Sequence, residues 1–265
     1  MTPVTEPIEQ AFVTPRYLAG GVDPAWVTVP LHRACGWSSA DDPLMPRVIL
    51  TSPDQLAQLR IDPTPDPGEP WWSIRHARVA DERPWSITFD AQTPVEIIAA
   101  VTDALTDPSA PPPESGDLFA PLRAAGWQVP RHHEEGTVTE VLAAPDGLAR
   151  VERLHHEGRT VGWNVETSVP HLPTLWRAYL DGSTPAPLVS ALFRALADPD
   201  PIMRAPQRLP YLATARGTNS RRPVSAETLA FALEHRTTAL TQRRTPPAPE
   251  ATPARPPVSQ PRRTR

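Results

Sequence analysis

The sequence predicts an α+β fold built from two tandem ββββα units, and three observations lead there. The first is an internal repeat: Trp85 to Pro108 aligns with Trp176 to Pro199 at an offset of 91 residues, and nine of the 24 positions are identical. The identities include Trp85/Trp176, Asp90/Asp181, Thr93/Thr184, Pro94/Pro185, Ala100/Ala191, Ala104/Ala195 and Asp107/Asp198. Upstream, Gly36-Trp37 answers to Gly126-Trp127, Pro53-Asp54 to Pro145-Asp146, and Trp72 to Trp163. The second observation is strict apolar and polar alternation over short runs, the mark of a half-buried antiparallel strand. The third is a helix start and stop signal at the end of each unit. The units span 30–110 and 118–200, after an arm at 1–29 and before a connection with a helix at 201–243 and a tail at 244–265.

Each unit opens with a turn of helix, Pro30 to Trp37 and Pro121 to Trp127, which stops at a Gly able to take the left-handed conformation. A hairpin follows. Arg47 to Thr51 turns at Ser52-Pro53-Asp54 into Leu56 to Ile61, and Thr139 to Ala143 turns at Pro145-Asp146-Gly147 into Leu148 to Leu154; Pro, Asp and Gly supply the turn geometry. Strand three, Trp71 to His76, puts Trp72 and Ile74 on one face and Trp71, Ser73 and Arg75 on the other; its counterpart is Val161 to Glu166. Strand four is Trp85 to Phe89, with counterpart Trp176 to Leu180. Thr93-Pro94-Val95-Glu96 then reads as a capping box, with an apolar stripe of Ile97, Ile98, Val101 and Leu105 behind it and a stop at Asp107-Pro108. Leu188, Val189, Leu192 and Leu196 repeat the stripe. Arg204 to Pro223 reads as an irregular connection. Ser225 caps a third helix to about Arg243, with Leu229, Leu233 and Leu240 on its apolar side, and the Pro- and Arg-rich tail beyond it lacks the apolar surface to order itself.

Thirty-seven Pro against 12 Gly call for stiff connections and short elements. All cationic charge is Arg. Residues 204 to 265 hold 12 Arg and three Glu, so an acidic body of −13 carries a basic end. One cysteine, Cys35, excludes an internal disulfide and suits a reducing compartment. The opening residues lack the regions of a signal peptide and no apolar run is long enough to cross a bilayer, so a cytoplasmic location and no membrane partner are expected.

Pro15-Arg16-Tyr17-Leu18-Ala19-Gly20-Gly21 with Asp23-Pro24, Ser52-Pro53-Asp54, and Thr93-Pro94-Val95-Glu96 leading into Thr102-Asp103-Ala104-Leu105 together resemble the SPDY domain, a domain of unknown function common in streptomycetes and their plasmids. The resemblance covers most of residues 12 to 200. It implies a duplicated actinobacterial protein, often tied to mobile elements, and carries over no activity. The second copy departs from the pattern, with Ala144 before Pro145-Asp146 and Pro187 in place of Glu96.

Six of the eight Trp fall in repeat-related pairs, Trp37/Trp127, Trp72/Trp163 and Trp85/Trp176, which marks them as core. The doublets His132-His133 and His155-His156 point apart along an extended chain and cannot converge on a metal, so no metal is expected. There is no Gly-x-Ser-x-Gly elbow and no phosphate loop, and Cys35 sits at a helix end whose second copy lacks it; neither enzyme activity nor a cofactor is expected. A non-enzymatic binding protein remains. Two consecutive ββββα units are similar in topology to the PUR and Whirly single-strand binders, an analogy that does not by itself imply function. On that reading Trp71 and Tyr179 stack bases, Arg75 and Arg177 hold phosphates, and Arg221, Arg222, Arg243 and Arg244 add cationic capture of single-stranded DNA or RNA. The alternative is a protein-interaction or assembly module, with a protein partner or a second copy, for which the acidic body is no obstacle.

Overall fold

The computed structural model describes residues 7–41, 47–65, 69–79, 82–107, 116–130, 139–168 and 172–244. The His132-His133 doublet and the tail from 245 onward lie outside them. The chain begins with β1 (Ile8–Thr14), a 3-10 turn (Arg16–Leu18) and α1 (Ala25–Cys35). The first unit continues through β2 (Ser38–Asp41), β3 (Val48–Thr51), β4 (Ala57–Ile61), β5 (Trp72–His76), β6 (Trp85–Phe89) and α2 (Val95–Thr106). The second comprises α3 (Ala120–Ala124), β7 (Thr139–Ala143), β8 (Ala149–His156), β9 (Arg159–Thr167), β10 (Trp176–Asp181) and α4 (Ala186–Ala197). Last come β11 (Ile202–Arg204), a second 3-10 turn (Pro206–Arg208), α5 (Tyr211–Arg216), β12 (Thr218–Val224) and α6 (Ala226–Arg244). The α+β class and the order of four strands and a helix in each unit are as the repeat predicts, with β2 as an extra strand in the first unit.

The two units form one sheet of nine strands, in the order β2-β3-β4-β5-β6-β10-β9-β8-β7. Each unit is an uninterrupted antiparallel meander, and the two join edge to edge where β6 pairs with β10. The strand order therefore reads alike outward from the join on both sides, an approximate two-fold arrangement. The helices cover one face only. Trp85, Ile87 and Phe89 of β6 and Trp176, Ala178 and Leu180 of β10 point into the core, where α2 packs against α4, and all six repeat-paired Trp are buried. Truncating one such Trp would cost about 3 to 5 kcal/mol.

Gly36 and Gly126 stop their helices in the left-handed region, at φ 71° and 84°, as the sequence requires. The hairpin turns also form, with the Gln55 N–H donating to the Ser52 carbonyl and the Gly147 N–H to the Ala144 carbonyl. Three features differ from the sequence expectation. First, α1 begins at Ala25 rather than Pro30, because the Asp23 carboxylate accepts the Ala25 N–H at 2.9 Å and starts the helix a turn early. Second, the connection expected to be irregular over Arg204 to Pro223 holds regular elements, and the stretch before the first unit supplies a strand: β1 lies between β11 and β12 in a separate three-stranded sheet. Third, the capping box of α2 does not close. Thr93 is buried with its hydroxyl unpaired, Pro94 stands at the cap, and Glu96 turns to Arg204, whose guanidinium reaches both carboxylate oxygens at 2.6 and 2.7 Å. A bidentate pair with a buried guanidinium outweighs one hydrogen bond to a helix-end N–H.

Helix α6 is capped by Ser225, whose hydroxyl accepts the Thr228 N–H at 3.1 Å. It lies on α1, burying Leu240, half-burying Leu229 and Leu233, and anchoring Arg236 on the Asp103 carboxylate and over the Trp26 ring.

Candidate binding faces

The face of the nine-stranded sheet away from the helices carries Gln58, Arg75, Ser86, Thr88, Asn164, Glu166, Arg177 and Tyr179, which alternate with buried residues, and the buried Ser73. Arg177 and Tyr179 are exposed there on β10, as expected. Around them the charges are matched: Arg177 lies 3.2 Å from Glu166, and Arg150 lies 3.5 Å from Glu152 and 3.6 Å from Glu166. Burial raises the Glu166 carboxyl, but the Ser168 hydroxyl and the two guanidinium groups outweigh it and hold the group below its ordinary value. The Tyr179 ring rests across Gly162, where an added Cβ would come within 2.7 Å of its hydroxyl, and that hydroxyl donates to the Val161 carbonyl at 3.3 Å. One face of the ring is thus used.

On the first-unit half, Trp71 precedes β5, half-buried and edge-on to Trp72 at 6.4 Å. Arg75 is exposed between Gln58 and Ser86 and has no charged partner among the described residues. Arg60 and Arg47 share the single carboxylate of Asp62, each at 2.7 Å. Arg75, Arg177 and Tyr179 thus share the open side of one sheet, with unequal surroundings in its two halves, whereas Trp71 packs against the core.

The four C-terminal arginines are not brought together. Arg222 covers the Phe12 ring at 4.1 Å and Arg221 faces Glu9 at 3.9 Å on the small sheet, whereas Arg243 and Arg244 end α6 on the helix side. There they meet a feature that sequence reasoning passed over. A cleft of about 360 Å3 at the α2/α4 seam is floored by Ala100, Ala104, Ala191 and Ala195 and rimmed by Arg194, Arg243 and Arg244. Arg16 also reaches it, paired with Asp198 at 2.7 Å.

A groove opens on each side of this cleft. In the first unit Trp37, Pro53, Asp54, Leu105, Thr106 and Asp107 line about 360 Å3. In the second their repeat counterparts Trp127, Pro145, Asp146, Leu196, Ala197 and Asp198 line about 650 Å3. Asp107 belongs to both the first groove and the cleft, and Asp198 to both the cleft and the second groove, so the three hollows adjoin. Arg244 enters the first groove and donates to the Thr106 carbonyl. In the second, Tyr17 lies edge-on to Trp127 at 5.9 Å and donates its hydroxyl to Asp146 at 2.8 Å. The signal was present in the sequence: five of these six pairs, all but Thr106/Ala197, are identical between the repeats.

Two groups that could act as nucleophiles, Cys35 and Tyr17, are restrained. Cys35 is buried, and burial pushes its thiol up; burial and then Asp146 hold the Tyr17 phenol well above its ordinary value. Among the described residues no group of three His, Cys, Asp or Glu side chains could hold a metal ion, and no helix is long and apolar enough to cross a membrane.

The family model for the SPDY domain, a domain of unknown function (DUF317), matches the chain twice, over residues 51–111 and 143–202. No curated protein and no solved structure matches it.

Proposed function

We propose that this chain, which carries two SPDY domains in tandem, is a non-enzymatic binding protein whose open sheet face docks another protein. The observation that carries the reading is the charge matching around Tyr179: Arg150 and Arg177 are met by Glu152 and Glu166, so the face offers alternating charges beside an aromatic ring rather than a cationic track. Tyr and Arg are enriched in protein interfaces, and mixed charges there select partners by complementarity. A phosphate backbone would need net positive charge, and the carboxylates beside Arg177 oppose it. Restrained Cys35 and Tyr17 support a role without catalysis.

A second reading, single-stranded nucleic acid, is favoured by the first-unit half, where Arg75 is unpaired among the described residues and Arg47 and Arg60 outnumber Asp62. Two arms separate the readings. Proteins retained by the wild-type chain and lost by a Tyr179→Ala, Arg177→Glu chain support the first. Oligonucleotide polarisation at two salt concentrations tests the second: salt-sensitive binding that falls with Arg75→Ala and ignores Tyr179→Ala overturns the protein reading.

A further inference from the structure

The paired grooves differ in what fills them, and the difference points to an occupant. Thr106 is the last residue of α2 and Ala197 the last of α4. A helix end leaves its final carbonyls unpaired and carries partial negative charge, which favours a cation there. In the first groove that cation is Arg244, on the Thr106 carbonyl. The second groove offers the Ala197 carbonyl at the corresponding place. It also offers the Asp146 carboxylate, which accepts only the neutral Tyr17 hydroxyl and the Leu148 N–H and has no cationic partner among the described residues. Its walls are apolar and open, with Ala124, Ala125, Pro145 and Pro199 all exposed.

We propose that the second groove is the docking site of this chain's own residues 245–265, with Arg255 taking at Ala197 and Asp146 the place that Arg244 takes at Thr106. The described chain ends at Arg244, inside the first groove, and the cleft leads from there past Asp107 to Asp198 and the second groove. The 11 residues from Arg244 to Arg255 span about 34 Å at the roughly 3.1 Å per residue of an extended proline-rich chain, enough to cross two packed helices. Pro253, Pro256 and Pro257 flank Arg255, and proline-rich segments lose little freedom on entering apolar grooves lined by aromatic rings. Charge agrees: residues 245–265 hold four Arg and one Glu, and the groove rim holds Asp146. This site lies on the helix side and does not rest on the reading of the open sheet face.

The test uses the full chain with p-benzoylphenylalanine in place of Ala254, irradiated and mapped by mass spectrometry. Crosslinks to residues 124–127 or 196–199 within one chain are expected, with the yield lowered about tenfold by Arg255→Ala, as loss of a hydrogen-bonded charge implies. Ala125→Phe, which fills the groove, is expected to abolish them. Coincident thermal melts of Arg255→Ala and the wild-type chain separate a lost contact from unfolding. Crosslinks that map elsewhere, that join two chains, or that persist unchanged in Arg255→Ala overturn the proposal.

Discussion

Thr88 of β6 pairs directly with Tyr179 of β10, its own counterpart in the second unit, and on either side Ile87 meets Leu180 and Phe89 meets Ala178. The local two-fold axis therefore passes between residues 88 and 179, and the two halves meet as the subunits of a symmetric dimer do, through one patch used twice.

A join of this kind makes the halves unfold together. Ile87→Ala and Leu180→Ala, each truncating a fully buried side chain beside the axis, are expected to destabilise by about 2 to 5 kcal/mol, with a coupling of about 0.5 to 3 kcal/mol in the double variant. Urea unfolding followed by Trp fluorescence and by circular dichroism should give coincident single transitions. Two separate transitions would mean that each unit holds its own core.

Glu96→Ala leaves the Arg204 guanidinium buried against the Ala19 and Gly20 carbonyls without its countercharge. The expected loss is about 3 to 5 kcal/mol. Glu96→Gln, which keeps the shape, should lose less, and the same denaturation curves decide it.

Ala195 is buried in the α2/α4 seam at the edge of the cleft. Ala195→Leu overpacks this contact and is expected to cost about 1 to 3 kcal/mol, whereas a leucine at exposed Ala124 should leave the melting temperature within the scatter of surface substitutions.

Stability should fall at both ends of the pH scale, for opposite reasons. Asp54 is held low by the Ser52 hydroxyl, Asp62 by Arg60, and Glu166 by Ser168, Arg150 and Arg177 against its burial. A depressed folded-state pKa gives stability that is present above the unfolded value, roughly 4, and lost as pH falls through the folded one. Tyr17 is shifted up by burial and by Asp146, and Tyr179 by burial, so their contribution is present below the unfolded value of about 10 and lost as pH rises beyond it. Thermal melts from pH 3 to 11 should show both limbs. Tyr17→Phe should flatten the alkaline limb, and an unchanged limb would show that Tyr17 does not supply it.

The repeat and the alternation of Trp85-Ser86-Ile87-Thr88-Phe89 made the two meanders and their helices legible, because in both units the buried set follows strand and helix periods. β1 was not. Its buried Gln10 breaks the alternation, and it pairs only with residues 202–224, so nothing near it in sequence marks it as a strand. β12, Thr-Asn-Ser-Arg-Arg-Pro-Val, is an exposed edge strand with no apolar face to betray it. For the open face, alternation placed Arg177 and Tyr179 correctly but could not reveal that Glu166, one strand away, would meet Arg177. The Asp54/Asp146 and Asp107/Asp198 pairs were visible as repeats, and only folding brought each beside a repeat-paired Trp of its own unit and a helix end.

β1 is thus made well before either of the strands it pairs with. Thr14 leaves the ribosome about 200 residues before β12, which at roughly 5 to 20 residues per second is on the order of 10 to 40 s. Both SPDY segments can be complete during that interval while Ile8 to Val13 stay without their ladder. A chain cut after residue 200 would therefore carry almost all of both matched segments and neither strand that pairs with β1.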